Sequence, residues 1–417
     1  MDEPTTKYRY LAEINSIFTP GSPIDSRDLF AGRTKQVEKV LGTIFQKGSH
    51  AILFGERGVG KTSLANTLFD FLVMTGKFNY QRAKVNCSEG MSFSDIWRVA
   101  FNDIVFTSTE GNSLRLAKAL PDNPGPEDIR MTFQLLNDPS IIIIDELDRV
   151  ANADVTTLLA DTIKTLSDNA IKTTLILVGV ADAVDELIGE HPSIERPLKQ
   201  IHMQRMSKAE LLEIVDKGLS KIEGLTIEAA PRARMADLSQ GLPFYTHMLA
   251  RESALNAVMN ERTNITMEDL EVGIREAVTT HGETNLTTYN DAVTAPRGKY
   301  FKPVLLACAL AEKDEKGFFY ASNLVQPLQL ITGKPLEIPA FSQHLKDFSE
   351  TRGPILEREG RRYRFRKPLM GPYVILRGLA DKLIVESQLS HPPETSTEPE
   401  QLSLLFASAA PALEIGP

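Results

Sequence analysis

Residues that could bind phosphate are concentrated at positions 55–62, which read Gly55-Glu56-Arg57-Gly58-Val59-Gly60-Lys61-Thr62. The spacing is G-x-x-x-x-G-K-[ST], in which glycines let backbone N–H groups turn inward around phosphate oxygens. Lys61 would place a positive charge on the β and γ oxygens, and the Thr62 hydroxyl would ligate Mg²⁺. The alternative is a glycine turn that merely joins a strand to a helix, but the four fixed positions argue against it. We therefore predict that ATP and Mg²⁺ bind at Gly55–Ser63.

A second group of residues has the chemistry to act on the same ligand. The apolar run Ile141-Ile142-Ile143-Ile144 ends in two adjacent acids, Asp145 and Glu146. A buried strand that ends in this way can use Asp145 to complete the Mg²⁺ coordination shell, while Glu146 orients the attacking water. An apolar strand that ends in acids is usually structural when it stands alone. Downstream of a phosphate-binding loop, it predicts hydrolysis of the bound nucleotide.

The elements that must position these residues are strands that alternate with helices. The predicted strands are Ala51–Phe54, Ala83–Asn86, Ser140–Ile144 and Thr173–Val178. They lack polar alternation and are separated by helical stretches, which predicts a parallel sheet covered on both faces, an α/β fold. After Met206 the pattern becomes helical. We predict a lead-in over 1–28, a nucleotide-binding core over 29–206, a helical lid over 207–285, a further domain over 290–385 and a tail over 391–417.

With these residues described, a resemblance can be stated. The span from about Asp28 to Thr280 resembles an AAA+ ATPase of the origin-recognition or initiator type, and is also similar to STAND signalling ATPases and transposition-regulator ATPases. The string Asp145-Glu146-Leu147-Asp148-Arg149 is typical of the initiator branch. The resemblance implies that Gly32 and Arg33, in a Phe-x-Gly-Arg lead-in, border the adenine. It also implies that Arg196 reaches the γ-phosphate of a neighbouring protomer, and hence that the protein self-associates with ATP. A helix-capping or solvated arginine is the alternative for Arg196.

Two positions depart from the initiator pattern. The predicted strand that ends Val178-Gly179-Val180-Ala181-Asp182 lacks the Asn or Thr that senses the γ-phosphate in those proteins. Gly241-Leu242-Pro243 stands where initiators tend to have Gly-Asp-x-Arg. The Gly-x-Pro form resembles STAND signalling ATPases, in which the proline, here Pro243, packs on the nucleotide. We therefore expect nucleotide binding, whereas the two departures leave the rate of hydrolysis open.

Residues 290–385 have the element order of a winged-helix domain. Apolar patterns predict helices over Phe301–Ala311, Tyr320–Thr332 and Pro339–Glu350, and alternation around Glu359-Gly360 predicts a β-hairpin. On its second strand, Tyr363 and Phe365 should face the core while the arginines face outward. This outward set, with the turn arginine, is predicted to contact DNA phosphates and comprises Arg361, Arg362, Arg364 and Arg366. A solvated strand face or a protein-docking role is the alternative.

The tail contains the peptide Gln401-Leu402-Ser403-Leu404-Leu405-Phe406 in a polar, proline-bearing stretch that we predict to be disordered. It resembles the motif by which bacterial replication and repair proteins bind the sliding clamp. On that reading Gln401, Leu402, Leu404 and Phe406 are the contact residues. The alternative is a stray apolar patch that packs on the body of the protein.

Composition limits the compartment and the partners. The two cysteines, Cys87 and Cys308, lie in different predicted domains, which excludes a disulfide framework and favours a reducing cytoplasm. Neither a signal peptide nor an apolar run of membrane-spanning length is found, so no membrane partner is expected. The net charge is −9, but residues 299–385 have an excess of Lys and Arg. That excess makes this part of the chain the expected contact for a polyanion.

Two functions fit these observations. The first is a DNA-associated AAA+ ATPase that assembles or remodels a complex in replication, repair or a mobile element. The second is a STAND-like ATP switch in signalling or phage defence, in which the winged helix makes protein contacts. The Gly-x-Pro at 241–243 favours the switch, whereas the acidic string, the basic hairpin and the tail peptide favour the first.

Overall fold

The computed structural model describes residues 4–385 with short gaps, which are 74, 75, 77, 78, 108–112, 151, 190, 191, 281, 282, 295–299 and 315. The tail over 391–417 and its clamp-like peptide lie outside the described residues. Those predictions therefore stay predictions.

The N-terminal segment contains a helix that the sequence did not predict, α1 (Pro4–Ile17). Its apolar residues Tyr10, Ile14 and Ile17, together with the following Phe18, are buried. They recur at the spacing of one helix face, but polar residues between them obscure that pattern in the sequence. The Tyr10 hydroxyl donates to the carbonyl oxygen of Glu223, at 3.0 Å, far along the chain. The lead-in is therefore part of the packed structure.

The nucleotide-binding core comes next in the chain. Its elements, in order, are α2 (Thr34–Phe45), β1 (His50–Gly55), α3 (Lys61–Val73), β2 (Gln81–Asn86), α4 (Phe93–Asn102), β3 (Val105–Thr107), β4 (Ser113–Arg115), α5 (Pro126–Phe133), β5 (Ser140–Asp145), α6 (Ala153–Asp168), β6 (Thr173–Val180), α7 (Asp185–Ile188) and β7 (Leu198–His202).

The core is built on a five-stranded parallel sheet with the order β2-β5-β6-β1-β7. Helices cover both faces, which confirms the α/β prediction and the four predicted strands. Strand β5 is buried along its whole length, as its isoleucine run requires. Strand β7 was missed because it lies at the sheet edge and keeps the polar residues Lys199, Gln200 and His202. The carboxyl ends of β1 and β5 meet at one edge, which is where ligands bind in open parallel sheets.

A helical region follows the core, as predicted. Its elements are α8 (Lys208–Ser220), β8 (Thr226–Ile227), α9 (Ala229–Leu238), α10 (Pro243–Met259), β9 (Asn264–Ile265) and α11 (Met267–Thr280). Ser207 and Glu210 form a capping box at the start of α8. Pro243 opens α10 at a position where a missing N–H costs nothing. The helix α1 packs on α10, so the N-terminal segment supports this region.

The last described region contains the predicted hairpin among further helices. Its elements are α12 (Glu283–Val293), α13 (Phe301–Leu310), β10 (Phe319–Tyr320), α14 (Val325–Thr332), α15 (Ile338–Glu350), β11 (Leu356–Glu359), β12 (Arg362–Phe365) and α16 (Met370–Ala380). Helix α14 begins five residues later than predicted, because Phe319 and Tyr320 pair with β12 as a third strand. Helix α16 was not predicted; it packs on both α11 and α13.

One apolar core joins these regions. It includes Leu64 of α3, Leu249 of α10 and Leu306 of α13, all buried. A second apolar cluster fills the other face of the sheet around Trp97. Among the described residues, the structure contains no helix with the length and apolar character needed to cross a membrane.

Candidate functional site

The phosphate-binding loop follows β1 and leads directly into α3. Gly55, Gly58 and Gly60 have φ angles of 142°, 90° and 93°, which side-chain-bearing residues rarely adopt. A Cβ atom at Gly55 would also collide with the carbonyl oxygen of Met203. The glycines therefore permit the turn that places the N-terminal end of α3, with its unpaired N–H groups, beside the loop.

Lys61 is buried beneath this loop. Its Nζ donates to the carbonyl oxygens of Gly55, at 2.9 Å, and Glu56, at 2.7 Å. Burial lowers the pKa of Lys61 to about 8, although the carboxylates of Asp148 and Asp145 oppose that shift. The ammonium group is therefore still mainly charged at neutral pH and can exchange these carbonyl partners for phosphate oxygens.

Thr62 and Asp145 meet at the same point. The Thr62 hydroxyl lies 3.4 Å from Oδ1 of Asp145, which is buried at the end of β5. Two oxygen ligands at this separation fit one Mg²⁺ ion, which binds carboxylate and hydroxyl oxygens and keeps several waters. The other carboxylate oxygen, Oδ2, lies 3.0 Å from Nζ of Lys84 on β2, which also donates to Asn66 at 2.7 Å. Sequence reasoning missed Lys84, although β2 and β5 had both been predicted.

Glu146 follows Asp145 in a left-handed backbone conformation, with φ 57°. Its side chain is half exposed, and its carboxylate lies 3.0 Å from the guanidinium of Arg149. The next acid, Asp148, accepts a hydrogen bond from the backbone N–H of Val180, at 2.8 Å. Val180 ends β6, where the sequence lacks a polar sensor residue, so Asp148 is the polar side chain that contacts this strand end.

A cavity of about 770 Å³ extends from these residues. Lys61, Thr62, Asp145 and Glu146 line one part of it. Apolar side chains from the N-terminal segment and the helical region line another part, and these are Ile24, Leu29, Phe30, Met206, Ile214, Pro243 and Phe244. Pro243, which the resemblance to STAND ATPases predicts to pack on the nucleotide, is part of this lining.

His247 on α10 also lines the cavity and was missed by sequence reasoning. It is buried, and burial lowers its pKa to about 4, so the imidazole is neutral at pH 7. Its Nδ1 has no hydrogen-bond partner among the described residues. A lone histidine in a helical pattern offers no signal in the sequence, whereas the fold places it at the cavity wall.

Gly32 and Arg33 tie the N-terminal segment to the rest of the site. The backbone N–H groups of Gly32 and Arg33 donate to the carboxylates of Glu213, at 3.0 Å, and Glu210, at 2.8 Å, both on α8. The buried Arg33 guanidinium donates to the carbonyl oxygens of Val59 and Gln204. Arg33 thus lines the cavity, but its guanidinium supports the loop.

Glu56 also has its side chain engaged within the protein. Its carboxylate forms a two-point ion pair with Arg205, at 2.7 and 2.9 Å. The side chain of this loop residue therefore faces away from a phosphate ligand. Its backbone, like that of its loop neighbours, remains the part that could contact the nucleotide.

The last region of the chain closes one side of the cavity. Leu369, just before α16, lines the cavity, and its Cδ2 would lie 3.3 Å from a Cβ at Gly58. The Tyr245 hydroxyl on α10 donates to the carbonyl oxygen of Leu369, at 2.5 Å. The phosphate-binding loop is therefore in direct contact with the segment that connects the hairpin to α16.

The hairpin arginines are not all free, which corrects the prediction of an open basic stripe. Arg362 lies 3.2 Å from Asp314 and 3.2 Å from Glu359. Arg364 lies 2.5 Å from Glu357 and 2.5 Å from Asp182 at the end of β6. Each arginine thus pairs with one carboxylate of β11 and with one that lies far away in the sequence.

The rest of the hairpin agrees with the predicted pattern. Tyr363 and Phe365 are buried, as predicted for the face toward the core. Arg361 and Arg366 have exposed side chains. Arg366 also donates to the carbonyl oxygen of Leu356, at 3.2 Å.

Arg196 is exposed and lies just before β7. The first residue of β7, Leu198, pairs with His50 at the start of β1, whereas the phosphate-binding loop follows the other end of β1. A strand of this length spans roughly 15 Å. Arg196 therefore lies near the amino ends of the strands, whereas its own nucleotide cavity lies at their carboxyl ends.

Known proteins resemble this chain in sequence or in fold. Residues 45–187 match the family described as AAA domain. The Aeropyrum pernix ORC2 protein, solved as ADPNP–ADP complexes, is 14% identical, with a TM-score of 0.52 over 90% of this chain and 98% of that chain. Cdc6p from Pyrobaculum aerophilum is 16% identical, with a TM-score of 0.46 over 89% and 99% of the two chains. RuvB from Thermotoga maritima is 16% identical, with a TM-score of 0.46 over 83% and 96%.

No curated protein matches the chain in sequence. The family match covers the loop, β5 and β6, which are the elements that form the polar part of the cavity. The similarity to ORC2 extends over the described regions and concerns their fold. Residues 45–187 are thus similar to the AAA domain family. The chain has the α/β fold of a P-loop nucleoside triphosphatase.

Proposed function

We propose that this protein binds ATP with Mg²⁺ in the 770 Å³ cavity and hydrolyses it. The observation that carries the proposal is the convergence of Lys61, Thr62 and Asp145, with 3.4 Å between the Thr62 hydroxyl and the Asp145 carboxylate. The structure with the same fold, ORC2, was solved with the nucleotides ADPNP and ADP. The apolar part of the cavity is suited to an adenine ring, and the neutral His247 offers one polar contact to it.

Each residue has a distinct role in this proposal. Lys61 holds the β and γ oxygens, and Thr62 and Asp145 hold Mg²⁺, which when bound offsets the charge of the phosphates. Lys84 fixes the Asp145 carboxylate through its second oxygen. Glu146 accepts a proton from the attacking water and orients it, once its carboxylate separates from Arg149.

Two variants test the proposal. Lys61→Ala should abolish ATP binding, because the phosphates lose the cation beneath the loop. Glu146→Gln should keep ATP binding and lose hydrolysis, because Thr62 and Asp145 are untouched. Calorimetric titration with ATP and phosphate release measure the two effects.

Two matched variants serve as controls for these measurements. Lys47→Ala and Glu38→Gln change exposed residues of the same types. ATP binding and ATP hydrolysis should both stay at the level of the unchanged protein. Wild-type turnover in Glu146→Gln would show that another group orients the water.

We further propose that residues 290–385 form a winged-helix domain that contacts duplex DNA, next to a core over 29–206 and a lid over 207–285. The helix order and the three-stranded sheet β10-β12-β11 support this proposal. Exposed cations at the hairpin turn favour DNA contact: Arg358 and Arg361 flank the turn, and Lys346 is exposed on α15. These side chains would neutralise phosphates and read no bases.

Salt-dependent binding tests the DNA contact. Arg358→Glu with Arg361→Glu should weaken binding to any duplex and flatten the dependence of log K on log salt, because fewer counterions are released. Lys39→Glu with Lys47→Glu makes the same charge change on α2 and just beyond it, and should leave duplex binding nearly unchanged. The contact is refuted if unchanged protein binds no duplex at about 50 mM salt, with ATP and without.

A nucleotide-controlled switch is the alternative function, and a specific contact favours it. Leu369 lies against Gly58 of the phosphate-binding loop. Arg364 of the hairpin also forms an ion pair with Asp182, just after β6. A ligand in the cavity can therefore alter how the last region packs on the core. The switch would be favoured if the protein binds no duplex and if ATP protects residues 366–370 from cleavage by a protease.

A further inference from the structure

A second cavity, of about 470 Å³, adjoins the nucleotide cavity. The two share Arg57, Val180 and Leu369 as walls. The second cavity lies between the phosphate-binding loop, the end of β6 and the hairpin region, and Gln240 before α10 completes it. Arg57 was predicted as a nucleotide contact, and Arg364 and Arg366 were predicted as DNA contacts, but the other cations of its wall belong to neither set.

The walls of this cavity have more positive than negative charge. They contain seven cationic side chains but only two carboxylates, those of Glu56 and Asp182. Both carboxylates are already used, since Glu56 pairs with Arg205 and Asp182 pairs with Arg364. No carboxylate in the described part of the chain pairs with the other five cations, which are Arg57, Lys313, Lys316, Arg366 and Lys367.

Lys313 shows how this excess is accommodated without an anion. Its Nζ donates to the backbone carbonyl oxygens of Ala309, at 2.6 Å, and Ala311, at 3.0 Å. Burial and the nearby Arg205 guanidinium lower the pKa of Lys313 to about 7. The other four cations, Arg57, Lys316, Arg366 and Lys367, are exposed to solvent, and an anion in the cavity would pair with their charge.

Gln240, a residue of the cavity wall, has an unused hydrogen-bond acceptor. Gln240 donates through Nε2 to the carbonyl oxygen of Ala309, at 3.1 Å, which fixes the orientation of its amide. The opposite atom, Oε1, is buried and has no partner among the described residues. Because Oε1 has almost no accessible surface, the cations remain the ligand contacts, and they favour a molecule with several negative charges.

We propose that this cavity binds a compact phosphorylated ligand with at least two phosphate groups. Its volume lies within the range of small-molecule sites, roughly 300–1,000 Å³. Walls from three parts of the chain enclose it, which suits a small anion better than a DNA duplex. The ligand would link the hairpin region to the phosphate-binding loop. This inference does not depend on ATP binding or hydrolysis.

Inorganic tripolyphosphate is a suitable probe, used on the full chain with Lys61→Ala to remove binding beneath the phosphate-binding loop. Calorimetric titration should show one saturable site in Lys61→Ala and two in the unchanged protein. Adding Lys316→Glu and Lys367→Glu to Lys61→Ala should weaken tripolyphosphate binding about tenfold or more, because two attractive contacts become repulsive. The matched control adds Lys39→Glu and Lys47→Glu, with the same charge change, and should not alter the affinity.

The outcomes separate this inference from the proposed function. A single site in the unchanged protein that persists in Lys61→Ala would support the second cavity while refuting the nucleotide site. Equal weakening by the control pair, or no saturable binding in Lys61→Ala, would overturn the inference. One contrary outcome is that a short DNA duplex displaces tripolyphosphate from the protein with Lys316 and Lys367 intact but does not bind the variant that lacks them. That result would instead assign the cavity to the nucleic-acid backbone. If Lys316→Glu with Lys367→Glu fails to fold by circular dichroism, Lys316→Gln with Lys367→Gln provides the same comparison.

Discussion

At the scale of single residues, Lys61 makes nucleotide binding sensitive to alkaline pH. Burial lowers its pKa to about 8, so in the free protein it loses its charge as the pH rises past that value. Bound phosphates favour the charged form, so binding above pH 8 must take up a proton. We expect ATP affinity to be nearly constant from pH 6.5 to 7.5 and to fall about tenfold per unit well above pH 8.

Titration calorimetry in buffers of different ionisation enthalpy measures that proton uptake directly. Lys61→Arg is the control, because a guanidinium stays charged throughout this range. Whatever its affinity, that variant should show no proton uptake up to pH 9.5. An equal pH dependence in Lys61→Arg would assign the titration to another group.

The residues of the site differ in how readily the sequence reveals them. Lys61, Thr62 and Asp145 lie in local motifs whose spacing encodes their chemistry. Lys84 and His247 have no such spacing, because the sheet register and the packing of α10 bring them to the site. The same holds for the ion pair between Arg364 and Asp182, which depends on contact between distant parts of the chain. Long-range pairing of charges cannot be read from local patterns, so the hairpin arginines looked freer than they are.

At the scale of elements, the N-terminal segment stabilises the helical region through Phe18. Its ring is fully buried and fills the space beside Gly218 of α8, where a Cβ atom would collide with it. Phe18→Ala should lower the free energy of unfolding by about 3–5 kcal/mol, as expected for a buried phenylalanine. Urea unfolding measures the loss. Tyr8→Ala, on the exposed side of α1, is the matched aromatic control and should change stability by less than about 0.5 kcal/mol.

Elements were predictable where one physical signal dominated. Buried parallel strands such as β5 are continuous apolar runs, and helices such as α8 have clear caps and periodicity. Helix α16 was missed because its opening Gly371-Pro372 resembles a turn, yet proline is tolerated in the first turn of a helix. Strand β7 was missed because an edge strand can expose polar residues. Both cases depend on a neighbouring element, which the local sequence does not specify.

At the scale of the whole molecule, the position of Arg196 predicts hydrolysis that depends on assembly. Arg196 lies near the amino ends of the strands, whereas its own phosphate-binding loop lies at their carboxyl ends. Its guanidinium could therefore stabilise charge only in the cavity of a partner protomer. Arg196→Ala should leave ATP affinity intact and lower turnover about 10³-fold where protomers assemble. Turnover measured against protein concentration tests this, with Lys199→Ala as the nearby control. Turnover per protomer that is independent of concentration and equal in both variants would indicate a monomeric enzyme.

The contact of Leu369 with Gly58 also has a kinetic consequence. Leu369 is held from the other side by the Tyr245 hydroxyl, so one short segment spans the loop and α10. We expect a nucleotide beneath that segment to leave when the segment moves. The residence time of the product would then follow the opening rate of the C-terminal region, and a fast first turnover would precede a slower steady state. Nucleotide exchange, and not hydrolysis, would then limit the steady-state rate of turnover.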